Sequence, residues 1–228
     1  MITLLGVGHV FDLSRSVRQE IVARRPRVVA LELDAVRFQA LMVRTPRSHG
    51  LSLFQLLALL ESRIARKYGV EVGDEMIAAA HAAQEVGSEL ALIDMDSRDV
   101  LLRAWGEMSF RERFKFFFGV LGSLFVGKRR VESELRRYER DDRGVLAEFA
   151  AILPSAKRVL IDERDEHMAR RLLQLSREKG DVVAVVGDGH VAGLLRRMED
   201  EPVHVVRLRE LRQAPPTSNA SFSFAYQL

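Results

Sequence analysis

The sequence predicts an α/β fold in which a mainly parallel sheet of about four to five strands is flanked by helices, with a helical insertion between the third and fourth strands. Short runs of apolar and β-branched residues alternate along the chain with segments whose apolar residues recur at helical spacing, which is typical of strand–helix–strand units. The strand-like runs are apolar at nearly every position, as expected for parallel strands that helices cover on both faces.

The first third of the chain alternates strands and helices. A strand at Ile2–Leu5 ends in a glycine turn, and a helix over Ser14–Arg24 follows it. Pro26 ends this helix, and Arg27–Leu33 is the second strand. Further along we expect a helix that carries Val36, Phe38, Leu41 and Met42, a loop at Pro46–Gly50, and helices over Leu51–Tyr68 and Glu71–Gly87.

The insertion follows the third strand, Glu89–Ile93, and is helical in pattern. Its four predicted segments are Ser97–Glu107, Ser109–Val126, Arg129–Ala151 and Ser155–Lys179. The fourth strand, Asp181–Val186, a short helix to Met198 and a weaker strand at Val203–Val206 close the fold. We expect a single domain over residues 1–228, with the insertion at about 97–179 and a tail at about 214–228.

Composition excludes several classes of protein. The 228 residues contain no cysteine, which excludes a disulfide framework, a thiolate nucleophile and a cysteine-ligated zinc. The formal net charge is only +3, and no aromatic–basic platform is apparent, so we expect no nucleic-acid partner. The most apolar stretch, Phe116–Val126, is too short to span a bilayer, and the chain does not open like a signal peptide. A cytoplasmic location is therefore expected.

Polar side chains follow four of the strands at the points where they end. The motifs GVGHV at 6–10 and GDGHV at 187–191 place His9 and His190 after the first and fourth strands, and Glu32 and Asp94 end the second and third. Ligands of open parallel sheets bind at the carboxyl ends of the strands, so these side chains are candidates for one site. Two imidazoles and a carboxylate suit Zn, Mn, Co or Fe, and we predict a metal held by His9, Glu32 and His190. Asp94 is either a further ligand, a helix cap or an arginine partner.

An arginine lies on the buried stripe of the helix that ends at Lys179. Arg164 shares this stripe with Leu160, Met168, Leu172 and Leu175. A buried guanidinium needs a carboxylate or an anionic ligand, so Arg164 either forms a structural ion pair or serves the site by holding a carboxylate or substrate. Glu75 is also a charged residue on a helix face that is expected to pack closely, since it shares this face with small alanines.

Half of the 12 phenylalanines lie in the segment Phe110–Phe125. They are interpreted as the core of the insertion, as a homodimer interface or as a peripheral membrane contact. Acidic and basic residues interleave after residue 128, which favours a solvated helix face over contact with anionic lipid.

Taken together, the motifs resemble those of the TraB/PrgY family of pheromone-shutdown proteins, which is related to the TIKI metalloproteases. The resemblance spans nearly the whole chain. The matching stretches are GVGHV at 6–10, PRVVALELDAVRFQAL at 26–41, Gly73-x-Glu75-Met76, Leu92-Ile93-Asp94-x-Asp96 with Arg103, Asp162-Glu163-Arg164-Asp165 with Met168-Ala169, and VVGDGHV at 185–191.

The resemblance implies a fold shared with TIKI, erythromycin-esterase-like and ChaN-like proteins, and a candidate metal-dependent hydrolase site at His9, Glu32 and His190. In TIKI-type relatives the implied activity is peptide cleavage with manganese or cobalt. Arg37, Glu75, Asp94 and Arg164 match family positions around this site.

From these residues and the resemblance we predict a metal-dependent peptidase or related hydrolase that uses Mn²⁺ or Co²⁺, with Zn²⁺ as the third candidate. Glu75 or Asp94 would be the general base, and Arg164 or Arg37 would stabilise the oxyanion. The alternative hypothesis is a non-catalytic protein that binds a peptide or other ligand in the same cleft.

Overall fold

A computed structural model describes residues 1–8, 11–43, 73–123 and 142–213. The strands are β1 (Ile2–Val7), β2 (Val28–Leu31), β3 (Glu89–Leu92), β4 (Val182–Gly187) and β5 (Val203–Val206). The helices are α1 (Ser14–Arg24), α2 (Ala35–Val43), α3 (Asp74–Val86), α4 (Ser97–Glu107), α5 (Phe110–Ser123), α6 (Asp142–Ile152), α7 (Pro154–Lys157), α8 (Glu163–Lys179), α9 (Asp188–Arg197) and α10 (Leu208–Gln213). A π-helical turn at Arg158–Asp162 joins α7 to α8.

The five strands form one parallel sheet in the order β3-β2-β4-β1-β5. The carboxyl end of β1 lies beside that of β4, where Val7 pairs with Gly187. On the other side of β4, Leu31 of β2 pairs with Val185 and also with Leu92 of β3. The predicted fold class is confirmed. Since all strands point the same way, the residues that follow β1, β2, β3 and β4 share one edge of the sheet.

Alternate residues of the strands feed two hydrophobic cores, one on each face of the sheet. On the first face Leu5, Val29 and Val183 pack with residues of α1, α3 and α10. On the second face Leu4, Ala30 and Ala184 pack with residues of α8 and α9. This double coverage explains why β1, β2 and β4 are apolar at almost every position.

The predicted insertion is helical in its described parts, and one of its helices differs from expectation. The helix expected at Ser155–Lys179 begins at Pro154, a residue suited to the first helical position, and contains the π-helical turn. The segment expected at Ser109–Val126 is described as far as Ser123. The loop at Pro46–Gly50, the helix at Leu51–Tyr68, much of Arg129–Ala151 and the tail from residue 214 lie outside the described residues. Among the described helices, none is both long and apolar enough to cross a membrane.

Glu112 fixes α5 to the start of α7. Its buried carboxylate accepts hydrogen bonds from the backbone N–H and hydroxyl of Ser109, at 2.8 Å each, and from the same groups of Ser155, at 2.8 and 3.1 Å. Burial alone would raise the pKa of Glu112, but these four donors outweigh it and lower the pKa below its usual 4.5.

The variant Glu112→Gln is expected to unfold with a free energy about 1–3 kcal/mol lower than that of the parent at neutral pH, because an amide NH₂ cannot accept these hydrogen bonds. A depressed folded-state pKa stabilises the fold above the unfolded pKa of 4.5, and this contribution is lost as the pH falls through the folded value. The difference in free energy of unfolding between parent and variant should therefore be smaller at acidic pH than at neutral pH. Urea unfolding at neutral and at acidic pH measures this difference, and the exposed Glu199→Gln is the control. A gap that widens in acid would contradict this explanation.

Candidate functional site

The strand ends place two carboxylates and the second glycine–histidine motif at one edge of the sheet. Glu32 follows β2 directly, and its backbone N–H donates to the carbonyl of Val185 at 3.1 Å. Asp94 lies just beyond β3, and its backbone N–H faces the carbonyl of Leu33. Gly187 ends β4, and its N–H donates to Glu32 Oε2 at 2.6 Å. The parallel arrangement thus brings together groups that are far apart in sequence.

Arg164 is the centre of this arrangement. Its guanidinium donates to Asp94 through two parallel bonds, Nε to Oδ1 at 2.9 Å and Nη2 to Oδ2 at 2.7 Å. The same Nη2 reaches Glu32 Oε1 at 2.5 Å. Nη1 donates to the carbonyl of Leu160 at 3.0 Å and lies 3.2 Å from His190 Nε2. The inward-facing arginine predicted from helical spacing therefore has carboxylate partners, and the π-helical turn supplies one of its acceptors.

His190 lies in the first turn of α9 and is held from both sides. Its Nδ1 is 2.6 Å from Asp165 Oδ1, and its Nε2 is 3.3 Å from Glu32 Oε1. The second glycine motif is part of this helix, because α9 begins already at Asp188. The helix start therefore fixes the backbone of His190, while Asp165 fixes the direction of its ring.

The electrostatics of the site follow from this pairing. Burial alone would raise the pKa of Glu32, but the adjacent His190 and Arg164 hold it well below its usual value. Burial would lower the pKa of His190, but Glu32 and Asp165 outweigh it and raise the pKa to about 9. The pKa of Arg164 is also raised, since Glu32 and Asp94 outweigh the effect of its burial. In this arrangement carboxylates and cations neutralise one another in a buried cluster.

A sequence profile of the TraB/PrgY/gumN family matches residues 1–207, and so covers the whole sheet and every member of this cluster. The chain belongs to the TraB/PrgY/gumN family. It is similar to "Uncharacterized protein MJ1365" of Methanocaldococcus jannaschii, with 31% identity over 211 residues. These residues are 87% of this chain and 53% of that protein, so the chain spans about half the length of the curated relative it matches. The resemblance to TraB and PrgY proteins is confirmed, while the relation to TIKI and ChaN-like proteins stays a prediction.

The remaining residues that the family resemblance suggested are placed as follows. Arg37 of α2 is partly exposed and lies 3.2 Å from Asp94 Oδ2, so Asp94 has two arginine partners. Glu75 is buried in the first turn of α3, next to Met76 of the first core. His9 lies outside the described residues, two positions beyond the end of β1. Its part in the site stays a prediction.

Asp165 is the member of the cluster that the sequence analysis missed. It is almost fully buried, and it is the residue that orients His190. Helical spacing could have found it, because Asp165 lies three, four and seven residues before Met168, Ala169 and Leu172 of the second core. A buried carboxylate on a core-facing stripe needs a hydrogen-bonding partner.

Asp188 in the second glycine motif has a structural part instead. Its carboxylate accepts two bonds from Arg207, at 2.8 and 2.7 Å, and one from the backbone N–H of Leu208. It therefore joins the start of α9 to the start of α10. A Cβ on Gly6 would collide with this carboxylate, which explains the glycine there.

An open groove of about 430 Å³ lies on the outer side of α8. Its walls are formed by Met95, Arg103, Asp162, Glu163, Glu166, His167, Arg170 and Arg197. Arg197 connects it to the cluster, since its Nη1 lies 3.7 Å from Asp165 Oδ2. The groove is rich in charges of both signs, and its cations already contact carboxylates of α8.

Proposed function

We propose that the chain is a metal-dependent hydrolase that cleaves peptide bonds, with Glu32 and His190 as two of the metal ligands. The observation that carries this proposal is the convergence of His190 Nε2 and Glu32 Oε1, 3.3 Å apart, at the carboxyl edge of a parallel sheet. The peptide substrate class rests on the family resemblance and on the chemistry of the site.

The donor atoms fit part of a divalent-metal ligand set. An imidazole nitrogen and a carboxylate oxygen suit Mn²⁺, Co²⁺ and Zn²⁺. A metal-bound histidine usually donates its other ring N–H to a carboxylate, and Asp165 is placed to accept that bond from His190. Among the described residues no three such side chains form a metal-binding group. A catalytic site usually takes three protein ligands, and the proposal assigns the third to His9.

The residues around the two ligands have distinct parts in the proposed reaction. A bound metal would lower the pKa of a water molecule and polarise the scissile carbonyl. Asp94 holds the guanidinium of Arg164 beside Glu32 and His190, where it would stabilise the negative charge that develops on a carbonyl oxygen. Asp94 is committed to two arginines, so the general base is assigned to Glu75, which the family resemblance alone connects to the site.

A second function, ligand binding without catalysis, is favoured by a specific feature of Arg164. Its guanidinium already contacts both proposed donor atoms, Glu32 Oε1 and His190 Nε2. Arg164 thus takes the position of a cation beside Glu32 and His190. In such a cluster Arg164 can bind a carboxylate or carbonyl of a ligand without a metal. This function predicts saturable peptide binding that a chelator does not change.

Metal binding by purified protein separates the two functions. We expect Mn²⁺ or Co²⁺ to bind the parent chain, and His9→Ala, His190→Ala and Glu32→Gln to abolish that binding. Asp165→Ala is expected to weaken binding by about 10- to 100-fold, because it removes only the group that orients His190. His204→Ala, on an exposed position of β5, is the matched control.

Mass spectrometry of a peptide library, with and without the bound metal, then tests catalysis. Metal-dependent fragments that disappear in His190→Ala and persist in His204→Ala are the expected result. Unchanged metal content in His9→Ala and His190→Ala would exclude the metal site. Peptide binding without fragments would favour the second function.

A further inference from the structure

The exposed face of α5 is apolar and cationic. Phe110, Phe114, Phe117 and Phe118 are each more than half exposed, with Phe110 at 85%. The first three follow i, i+4, i+7 spacing and so form one strip along the helix. The rings of Phe114 and Phe118 lie with centroids 4.3 Å apart, and those of Phe117 and Phe118 lie 5.8 Å apart. This strip is a contiguous apolar surface rather than a scatter of single side chains.

The opposite face of α5 holds the helix to the protein. Phe116 packs against the small core of Met108, Leu153 and Ala156, and Glu112 is fixed by the serines described above. The orientation of α5 is therefore set by its own contacts, and the phenylalanine strip points away from them. The sequence analysis gave the core of the insertion as one interpretation of these phenylalanines, and among those with described side chains only Phe116 joins it.

The charges beside the strip have a single sign. Arg111 and Lys115 are exposed along one border, and neither forms an ion pair with another described residue. Arg113 lies along the other border, with its guanidinium over the ring of Trp105. The acidic residue of this part of the helix, Glu112, is buried on the far side. Along the described part of α5 the exposed charges are therefore cationic, while the interleaved charges after residue 128 lie outside the described residues as far as residue 141.

We infer that this face of α5 docks on an anionic lipid surface. Phenylalanines entering the headgroup region with cations beside them are the arrangement by which an interfacial helix binds acidic lipids. A second copy of the chain fits less well, because a two-fold contact through this face would bring the cations at its borders against the cations of the other copy. The inference is independent of the proposed hydrolase activity.

Binding to vesicles tests the inference. The whole chain is titrated with vesicles of phosphatidylcholine alone and with vesicles that also contain phosphatidylglycerol. The single tryptophan, Trp105, is partly exposed and borders the face, so its emission should shift to the blue on binding. We expect binding to the anionic vesicles only, weakened by salt.

Two pairs of substitutions separate the contributions of charge and apolar contact. Arg111→Gln with Lys115→Gln is expected to weaken binding by about 30-fold. Phe114→Ser with Phe117→Ser is expected to weaken it by at least about tenfold. Ile152→Ser, on an apolar residue of α6 that is about half exposed, should leave binding unchanged. Circular dichroism confirms that each variant is folded.

Three results would overturn the inference. A dimer in sedimentation that Phe114→Ser with Phe117→Ser dissociates, without vesicle binding, would assign the face to a second copy. A monomeric chain that does not bind the vesicles would show that lipid does not occupy this face of α5. Binding that depends on the two cations but not on the phenylalanines would be a general charge effect and not docking.

Discussion

Replacing Arg164 by methionine is expected to lower the free energy of unfolding by about 3 kcal/mol, because it leaves the buried carboxylates of Glu32 and Asp94 without their shared cation. The loss is placed at the lower end of the range for breaking buried pairs, since Asp94 keeps Arg37 and Glu32 keeps His190 as partners. Urea unfolding of parent and variant gives the difference directly.

The control for this experiment is Arg158→Met. Arg158 also contacts two carboxylates, Glu107 and Glu163, but its side chain is 56% exposed. Solvent screens such a pair, and its loss should cost at most about 1 kcal/mol. If Arg164→Met lowers the free energy of unfolding by no more than Arg158→Met does, burial of the Arg164 cluster contributes nothing to stability and the explanation is wrong.

Two further variants test the geometry of the guanidinium. Arg164→Lys keeps the charge but cannot form the two parallel bonds to Asp94, so we expect a stability between those of parent and Arg164→Met. Adding Glu32→Gln to Arg164→Met removes one uncompensated charge and should restore part of the free energy of unfolding that Arg164→Met loses. Full recovery in the lysine variant would show that charge alone matters at this position.

Placing a methyl group on Gly193 is expected to destabilise the chain by about 2–4 kcal/mol. A Cβ at this position would clash with the Asp165 carboxylate. Asp165 is almost fully buried and holds His190 Nδ1 at 2.6 Å, so it cannot move away without loosening that hydrogen bond. Gly193→Ala therefore tests the support of His190 without altering either ring or carboxylate.

The matched control is Gly106→Ala in α4, where an added Cβ meets nothing within 4 Å. A helical Gly→Ala change in open space should stabilise by about 0.5–1 kcal/mol, so the two alanines are expected to act in opposite directions. A double-mutant cycle of Gly193→Ala with Asp165→Ala identifies the cause. The cost of the added methyl should nearly vanish once the carboxylate is gone, and a cost that persists would place the collision elsewhere.

Much of the fold could be predicted because each element carries its own periodicity. The apolar runs of β1, β2 and β4 indicate strands covered on both faces, and the structure places them in the middle of the sheet. The limits of α1, α4 and β5 agree with prediction to the residue. The π-helical turn before Arg164 was not foreseen, since its residues also satisfy ordinary helical spacing.

For the candidate site, sequence patterns identify which groups need a partner, but not the partner. Helical spacing puts Arg164 inside, and burial of a guanidinium demands an acceptor. That its acceptors are Glu32 and Asp94, 132 and 70 residues away, follows from the order in which the strands lie side by side. Local periodicity does not predict the order of the strands in the sheet, because every parallel arrangement of these strands buries the same apolar faces. Asp165 is a similar case: its position on the core-facing stripe of α8 indicates that it needs a partner, but only the packing of α8 against α9 makes that partner His190.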